Sequence, residues 1–242
     1  MSTIKATNVA KYYIEKRWWQ WKPKRIEIGV EDVSLTIEQG EFVFIIGSSG
    51  AGKSTLLNLL SGKIKPDRGT ILVDGVDVFV MRHRSIKQFN RTIGVVSQQH
   101  TLDRGISVNK NLECAIHKKW TDWETTKEER ISKVLGLVGL PNAGEMYPGS
   151  LTAGEQRRVE LARALINSPS ILVLDEVIAN LDEDSIWDTF LLLTEINQKG
   201  TTIIMSIHNS RFVNMLRRRV ITLVDGRIYS DVHKGRYGEV EG

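Results

Sequence analysis

The stretch Gly47-Ser48-Ser49-Gly50-Ala51-Gly52-Lys53-Ser54 fits the pattern G-x-x-x-x-G-K-[ST]. Its flanks are those the pattern requires. Before it, Glu41-Phe42-Val43-Phe44-Ile45-Ile46 is a short apolar run suited to a strand covered on both faces. After it, Leu56, Leu57, Leu59 and Leu60 recur at helical spacing until Gly62. In such a strand–loop–helix the glycines let successive backbone N–H groups turn inward around phosphates, and the helix adds its positive end. Lys53 supplies a cation for the β- and γ-phosphates, and Ser54 a hydroxyl for Mg2+. The segment predicts a nucleoside triphosphate site in which every residue from Gly47 to Ser54, together with Thr55, is a candidate contact.

Outward from this point strands alternate with helices. Short strands are expected at Ile4–Val9, Ile26–Val30 and Val33–Ile37, and a hairpin around Asp67–Val78. Ile93–Val96 is a further apolar strand, and Asn109–Gly139 turns helical and polar until Pro148-Gly149. A helix begins near Thr152, carries Val159, Ala162, Leu165 and Ile166, and stops at Asn167-Ser168-Pro169. Thr202–Ser206 is a buried strand behind a helical stretch, Ser185–Gln198, and Val220–Ser230 closes as a hairpin on Asp225-Gly226. The alternation predicts an α/β fold with a mainly parallel sheet. There is no internal repeat and no linker that would separate two domains.

A second buried strand, Ile171-Leu172-Val173-Leu174-Asp175-Glu176, ends in two acids. Open α/β sheets place ligands beyond the carboxyl ends of their strands. Asp175 suits a role in holding Mg2+ through water, and Glu176 one in orienting and polarising an attacking water. A strand merely closed by solvated acids is the plainer reading, and the phosphate loop upstream weighs against it.

Composition excludes other classes. The 242 residues are 41% hydrophobic and 26% charged, the balance of a globular protein. The longest apolar run, Phe42–Ile46, is far short of the ~20 residues a membrane helix needs. The N-terminal MSTIKATNV has no apolar core of the signal-peptide kind, and a single cysteine, Cys114, makes no internal disulfide, so a reducing cytosol is expected. The net charge of +4 is local: residues 11–25, KYYIEKRWWQWKPKR, contribute +5 and all others −1. A basic face spread across the fold, as nucleic-acid binding requires, is therefore not expected. Trp18, Trp19 and Trp21 stand among Lys16, Arg17, Lys22, Lys24 and Arg25. Three readings are open for this segment: an extended hairpin with packed indoles, contact with a membrane surface or membrane partner, and base stacking.

Five further groups occur in a fixed order. Tyr13 closes Asn8-Val9-Ala10-Lys11-Tyr12-Tyr13, and Gln98 follows the strand Ile93–Val96. Leu151-Thr152-Ala153-Gly154-Glu155-Gln156 lies about twenty residues before Asp175-Glu176, and Asn180-Leu181-Asp182 comes shortly after. His208 follows the strand Thr202–Ser206. With the phosphate loop, this set resembles the ATP-binding cassette (ABC) ATPases over nearly the whole chain. The resemblance implies a P-loop NTPase cassette: a RecA-like, mainly parallel core with an antiparallel β-subdomain (residues 1–97 and 168–242) and an inserted helical subdomain (98–167). It implies ATP and Mg2+ as ligands, with Tyr13 stacked on adenine, and Ser54, Gln98 and Asp175 toward the metal. Glu176, His208 and Gln98 take the catalytic roles. Thr152, Ala153, Gly154 and Glu155 form a signature turn that faces ATP held by a second copy, and Asp182 belongs to the D-loop. An ATP-dependent homodimer follows from that geometry. The stretch Glu41–Leu57, Ile93–Val96 and the tail Arg218–Tyr237 are most similar to the FtsE-type cell-division branch. That branch implies work at the cytoplasmic face of a bacterial membrane with an FtsX-like integral membrane protein. Lipoprotein- and macrolide-exporter ATPases share many of these motifs, so a transporter subunit stays open.

The chain departs from the family pattern in five places. Ala153 replaces the first signature glycine, and Val177-Ile178 replaces Pro-Thr after the glutamate. Asn209 stands where an acid is common, and Ser97-Gln98-Gln99 replaces a Phe-Gln-Asp loop. Residues Ile14–Glu31 run about ten longer than the FtsE-type segment. These changes predict slow hydrolysis and leave open an ATP-sensing module with little turnover.

Overall fold

Phe42 to Ile46 have no solvent-facing side in the computed structural model: all five side chains are buried. The structure describes residues 3–15, 25–80, 89, 92–117, 126–179 and 181–238. The Trp-rich segment 16–24 and Asn180 lie outside the described residues.

In chain order the strands are β1 (Ile4–Glu15), β2 (Arg25–Ile37), β3 (Phe42–Ile46), β4 (Arg68–Val73), β5 (Val76–Asp77), β6 (Ile93–Val96), β7 (Ile171–Asp175), β8 (Thr202–Ser206), β9 (Arg219–Val224) and β10 (Arg227–Val232). The helices are α1 (Lys53–Leu60), α2 (Val108–Ala115), α3 (Lys127–Leu137), α4 (Ala153–Leu165), α5 (Glu183–Gln198) and α6 (Ser210–Leu216). These elements fall into two compact units, Met1–Ile86 with Thr202–Gly242, and Lys87–Thr201.

In the first unit β3 pairs in parallel with β8 on one side and β9 on the other, Phe44 opposite Met205 and Val220. β10 then returns antiparallel to β9. A strand flanked on both sides and covered on both faces has to be apolar throughout, which accounts for the unbroken Phe-Val-Phe-Ile-Ile. Each such side chain removed from water contributes about 2 kcal/mol. A separate antiparallel sheet runs in the order β2-β1-β4-β5. Its hairpin Asp74-Gly75 and the β9–β10 hairpin Asp225-Gly226 both have two successive positive φ values, 53° and 77°, and 48° and 78°. That backbone matches the right-handed twist of the strands it joins and explains Asp-Gly at both turns.

β2 is one strand where the sequence suggests two. Asn8 and Asp32, at φ 47° and 52°, form facing bulges joined by a 2.9 Å bond from Asn8 Nδ2 to Asp32 Oδ1, so the pairing continues past them. It continues to Glu15 opposite Arg25. Arg219 fastens this sheet to the other. Its guanidinium donates twice to Asp231, at 2.7 Å each, and from Nη1 to the Thr36 carbonyl at 2.7 Å and Glu41 at 2.9 Å.

In the second unit β6 and β7 pair in parallel from Ile93–Ile171 to Val96–Leu174. Helix α4 packs on β6 and on α2 and α3. The approach is close at Gly94, where a Cβ would stand 2.6 Å from the Ala164 carbonyl. Among the described residues, the expected helical stretch from Asn109 to Gly139 contains two helices, α2 capped by Ser107 and α3 by a Thr126–Glu129 capping box. Helix α6 goes beyond the sequence reading. The Asn209 side chain accepts from the Arg211 N–H at 3.1 Å, so the residue standing in place of the usual acid is an N-cap. Contacts also group β6, β7 and α5 with the helices, whereas the expected subdivision places β6, β7 and α5 with the core.

Arg219→Ala leaves Asp231 and Glu41 without their shared cation. Urea unfolding is expected to show a loss of about 2–4 kcal/mol with an unchanged m-value.

Candidate functional site

The phosphate loop is shaped by positions that only glycine fills. Gly50 and Gly52 have φ of 81° and 98°, and a Cβ on Gly52 would lie 2.2 Å from the Gly29 carbonyl oxygen. A Cβ on Gly47 would lie 2.5 Å from the Leu223 carbonyl. The loop is closed internally by the Ala51 N–H on the Ser48 carbonyl at 3.2 Å. It is held from outside by the β9–β10 turn: the Gly226 N–H donates to the Ala51 carbonyl at 3.1 Å, and the Gly226 carbonyl accepts from the Glu31 N–H at 2.8 Å.

Lys53 is 5% exposed, with Nζ at 3.0 Å from the Gly47 carbonyl and 2.9 Å from the Ser48 carbonyl. Its charge is therefore fixed inside the ring of the loop, while Ser48, Ser49 and Gly50 face solvent. Ser54 and Thr55 open α1, which has no side-chain cap and no acid in its first turn. The N-terminal N–H groups and the positive helix end are thus offered to an anion.

Tyr13 projects from β1 onto the same helix start. Its hydroxyl is 3.4 Å from Thr55 Oγ1, and the ring lies so close to Gly29 that a Cβ there would come within 2.7 Å of it. The ring is 41% exposed, which leaves a face for a planar ligand. His208 lies just beyond β8. Ile45 pairs with Ser206, and the Ile207 N–H donates to the Ile45 carbonyl at 3.2 Å. His208 and Gly47 therefore leave the sheet at the same, carboxyl, end.

The second unit assembles the remaining candidates. Because Val96 is opposite Leu174, Gln98 and Glu176 each emerge two residues past a matched pair. Gln98 Nε2 donates to Glu176 Oε2 at 2.8 Å. Asp175 ends β7 next to this contact, and Glu176 has φ 48°, the left-handed backbone that turns its side chain off the strand line. Val177 and Ile178, which replace Pro-Thr, are buried. The two side chains pack in the interior, and that accounts for their apolar character.

Helix α4 starts at the signature turn. Thr152 accepts from the Glu155 N–H at 3.2 Å, and Glu155 Oε2 accepts from the Thr152 N–H at 2.8 Å and its hydroxyl at 2.9 Å. This reciprocal box holds the Glu155 carboxyl below its ordinary range, the backbone N–H of Thr152 being the main cause. Ala153 is exposed. Gly154 is tight against α5: a Cβ would lie 3.0 Å from Ser185 Oγ. Asp182 caps α5 through the Ser185 N–H at 2.9 Å and hydroxyl at 2.8 Å, and the backbone bond lowers its pKa first.

Sequence reasoning passed over Arg157 and Glu160, which sit one and two turns into α4 and are 4% and 2% exposed. Arg157 Nη1 donates to Glu160 Oε2 at 2.7 Å and to the Ser97 carbonyl at 2.8 Å, and Nη2 to the Gln98 carbonyl at 2.9 Å. In sequence the two read as ordinary surface charges on a helix, and their burial comes from the fold.

The ABC transporter family model matches residues 30–179 of the chain. The cell division ATP-binding protein FtsE of Streptococcus pneumoniae is 40% identical over 206 residues, 85% of this chain and 89% of that protein. Its counterpart in Bacillus subtilis is 38% identical over 209 residues, 86% and 91% of the two chains. The methionine import ATP-binding protein MetN of Nocardia farcinica is 37% identical over 207 residues, covering 85% of this chain and 61% of that protein. Among solved structures, a dimeric post-hydrolysis state of the ATP-binding cassette MJ0796 with ADP and Pi superposes with a TM-score of 0.85 at 28% identity, covering 97% of this chain and all of that one.

A carboxyl held below its ordinary pKa stabilises the fold above its unfolded value and loses that contribution as pH falls through the folded one. Carboxyl-carbon NMR is expected to place the Glu155 midpoint below that of an ordinary glutamate. Thr152→Val should move it part of the way back up, because the backbone donor remains.

Proposed function

The chain belongs to the ABC transporter family of ATP-binding cassettes and is an ATPase; from that premise we propose that it is the ATP-hydrolysing subunit of an FtsEX-type membrane complex. It would work as an ATP-dependent homodimer bound to an FtsX-like integral membrane protein at the cytoplasmic face of a bacterial membrane.

The observation that carries hydrolysis is the 2.8 Å contact between Gln98 and Glu176 beyond the ends of β6 and β7. In this reading Glu176 orients the attacking water and polarises it, accepting its proton as the water oxygen bonds to the γ-phosphorus and the bond from that phosphorus to the β–γ bridging oxygen breaks, releasing ADP and phosphate. The Gln98 amide keeps that carboxylate aimed. Lys53 and the N–H groups of Gly47 to Thr55 hold the β- and γ-phosphates and offset charge developing on them. His208 donates to the γ-phosphate from the carboxyl end of the sheet, and Tyr13 stacks on the adenine. Ser54 hydroxyl, Gln98 carboxamide and Asp175 carboxylate are hard oxygen donors of the type Mg2+ takes together with phosphates and water. Held by such donors, Mg2+ would neutralise phosphate charge.

The signature turn of a second copy, Thr152 to Glu155 at the N-terminus of α4, would face the same γ-phosphate, with Asp182 alongside. Two features support slow turnover. The Thr152 hydroxyl already serves the Glu155 box, and Ala153 adds a methyl where a phosphate approaches. Among the described residues no helix is long and apolar enough to cross a membrane, which fits a subunit that reaches the bilayer through a partner. The Trp/Lys/Arg segment 15–25 is proposed as a further contact with that partner or with the membrane surface, and nucleic acid is not proposed as a ligand. A second reading, the nucleotide-binding subunit of a transporter, is favoured by the MetN similarity.

Glu176→Gln is expected to lower steady-state phosphate release by at least about 100-fold. Nucleotide affinity should hold, and Mg-ATP should trap a dimer by light scattering. Parental turnover in that variant would remove Glu176 from its role. Pull-down from membranes with the trapped dimer separates the two readings: a cell-division membrane protein supports the first, and a permease the second.

A further inference from the structure

We propose that Arg157 is a positioning residue for hydrolysis, tying helix α4 to the backbone of Ser97 and Gln98 and so setting where the Gln98 side chain meets Glu176. The proposal rests on the reading of Glu176 given above.

The loop after β6 has exposed side chains at Gln98, Gln99 and His100, so little apolar packing fixes it. Its main chain is held from α4. Arg157 takes the Ser97 and Gln98 carbonyls, Glu160 Oε1 accepts the Thr101 N–H at 2.7 Å, and Arg163 Nη1 donates to the Thr101 carbonyl at 2.8 Å. His100 Nδ1 stands 3.3 Å from Glu160 Oε2.

Burying a guanidinium and a carboxylate is costly, and a merely structural contact would be served as well by apolar side chains. What the charged pair adds is direction. One rigid, planar fork meets two successive carbonyls and a carboxylate at once, which a single-point ammonium cannot do. Gln98 then has its carbonyl on Arg157 and its amide on Glu176.

Arg157 also sits only one turn beyond Gly154. The helix whose first turn would face a partner's nucleotide is thus the same rigid body that places Gln98 at this chain's own attacking water.

The test is a kinetic cycle with Gln98. In Arg157→Gln, kcat per active site is expected to fall about tenfold or more with KM for ATP within about threefold. In Gln98→Ala, adding Arg157→Gln should cost less than about twofold more, because Arg157 acts through that residue. Arg157→Lys should recover only part of the loss. Should Arg157→Gln not fold, the paired Arg157→Met/Glu160→Met chain, which leaves no uncompensated charge, takes its place in the cycle. Unchanged kcat per active site, or losses that multiply with Gln98→Ala, overturns the proposal. Glu176→Gln run alongside keeps the two readings apart: if it is inactive while Arg157→Gln keeps the parental kcat, only the positioning role falls.

Discussion

A lysine ammonium with one-twentieth of its surface exposed persists only where oxygen atoms surround it, and the loop from Gly47 to Gly52 supplies them. That requirement propagates outward. The carbonyls can converge on Lys53 only if the backbone enters the left-handed region at Gly50 and Gly52. It can do so only with Gly29, Leu223 and Gly226 packed against it without side chains between. β3 in turn must be flanked by β8 and β9 for Leu223 and His208 to arrive at the same end. The antiparallel sheet, through Tyr13 and Gly29, closes the side toward α1.

The phosphate loop, the strands that carry chemistry and the start of α4 were legible because their signals are local. A run of buried β-branched and aromatic residues, a glycine pattern and a Thr-x-x-Glu box each say what they are within eight residues. The continuity of β2 was not legible, because the Asn8–Asp32 bond that bridges its bulges joins residues 24 apart. The separate starts of α2 and α3 were readable from Ser107 and from Thr126-Lys127-Glu128-Glu129, two cap signals that a single helical reading of Asn109–Gly139 ran together.

The pair Arg157–Glu160 shows a different limit. In sequence both look like ordinary surface charges on a helix, and only the fold turns them inward, onto backbone carbonyls and an N–H that carry no sequence signal. Gln98 and Glu176 lie between these cases: each was legible alone, and their meeting required the parallel register of β6 on β7. Asn209 and Val177-Ile178 looked like losses from a family pattern, and in the fold one caps a helix and the others fill the interior.

The grip of the Asp225-Gly226 turn on Ala51 has a consequence for synthesis. The residues that surround phosphate are translated well before the peptide group that pins them. At about 5–20 residues per second a ribosome needs on the order of ten seconds or more to span that gap. During this interval the nascent chain has the glycine-rich loop without its clamp, and β3 gains its parallel neighbours β8 and β9 only near the interval's end. The phosphate loop therefore reaches its final, clamped form only after β9 and the turn that follows it have been made.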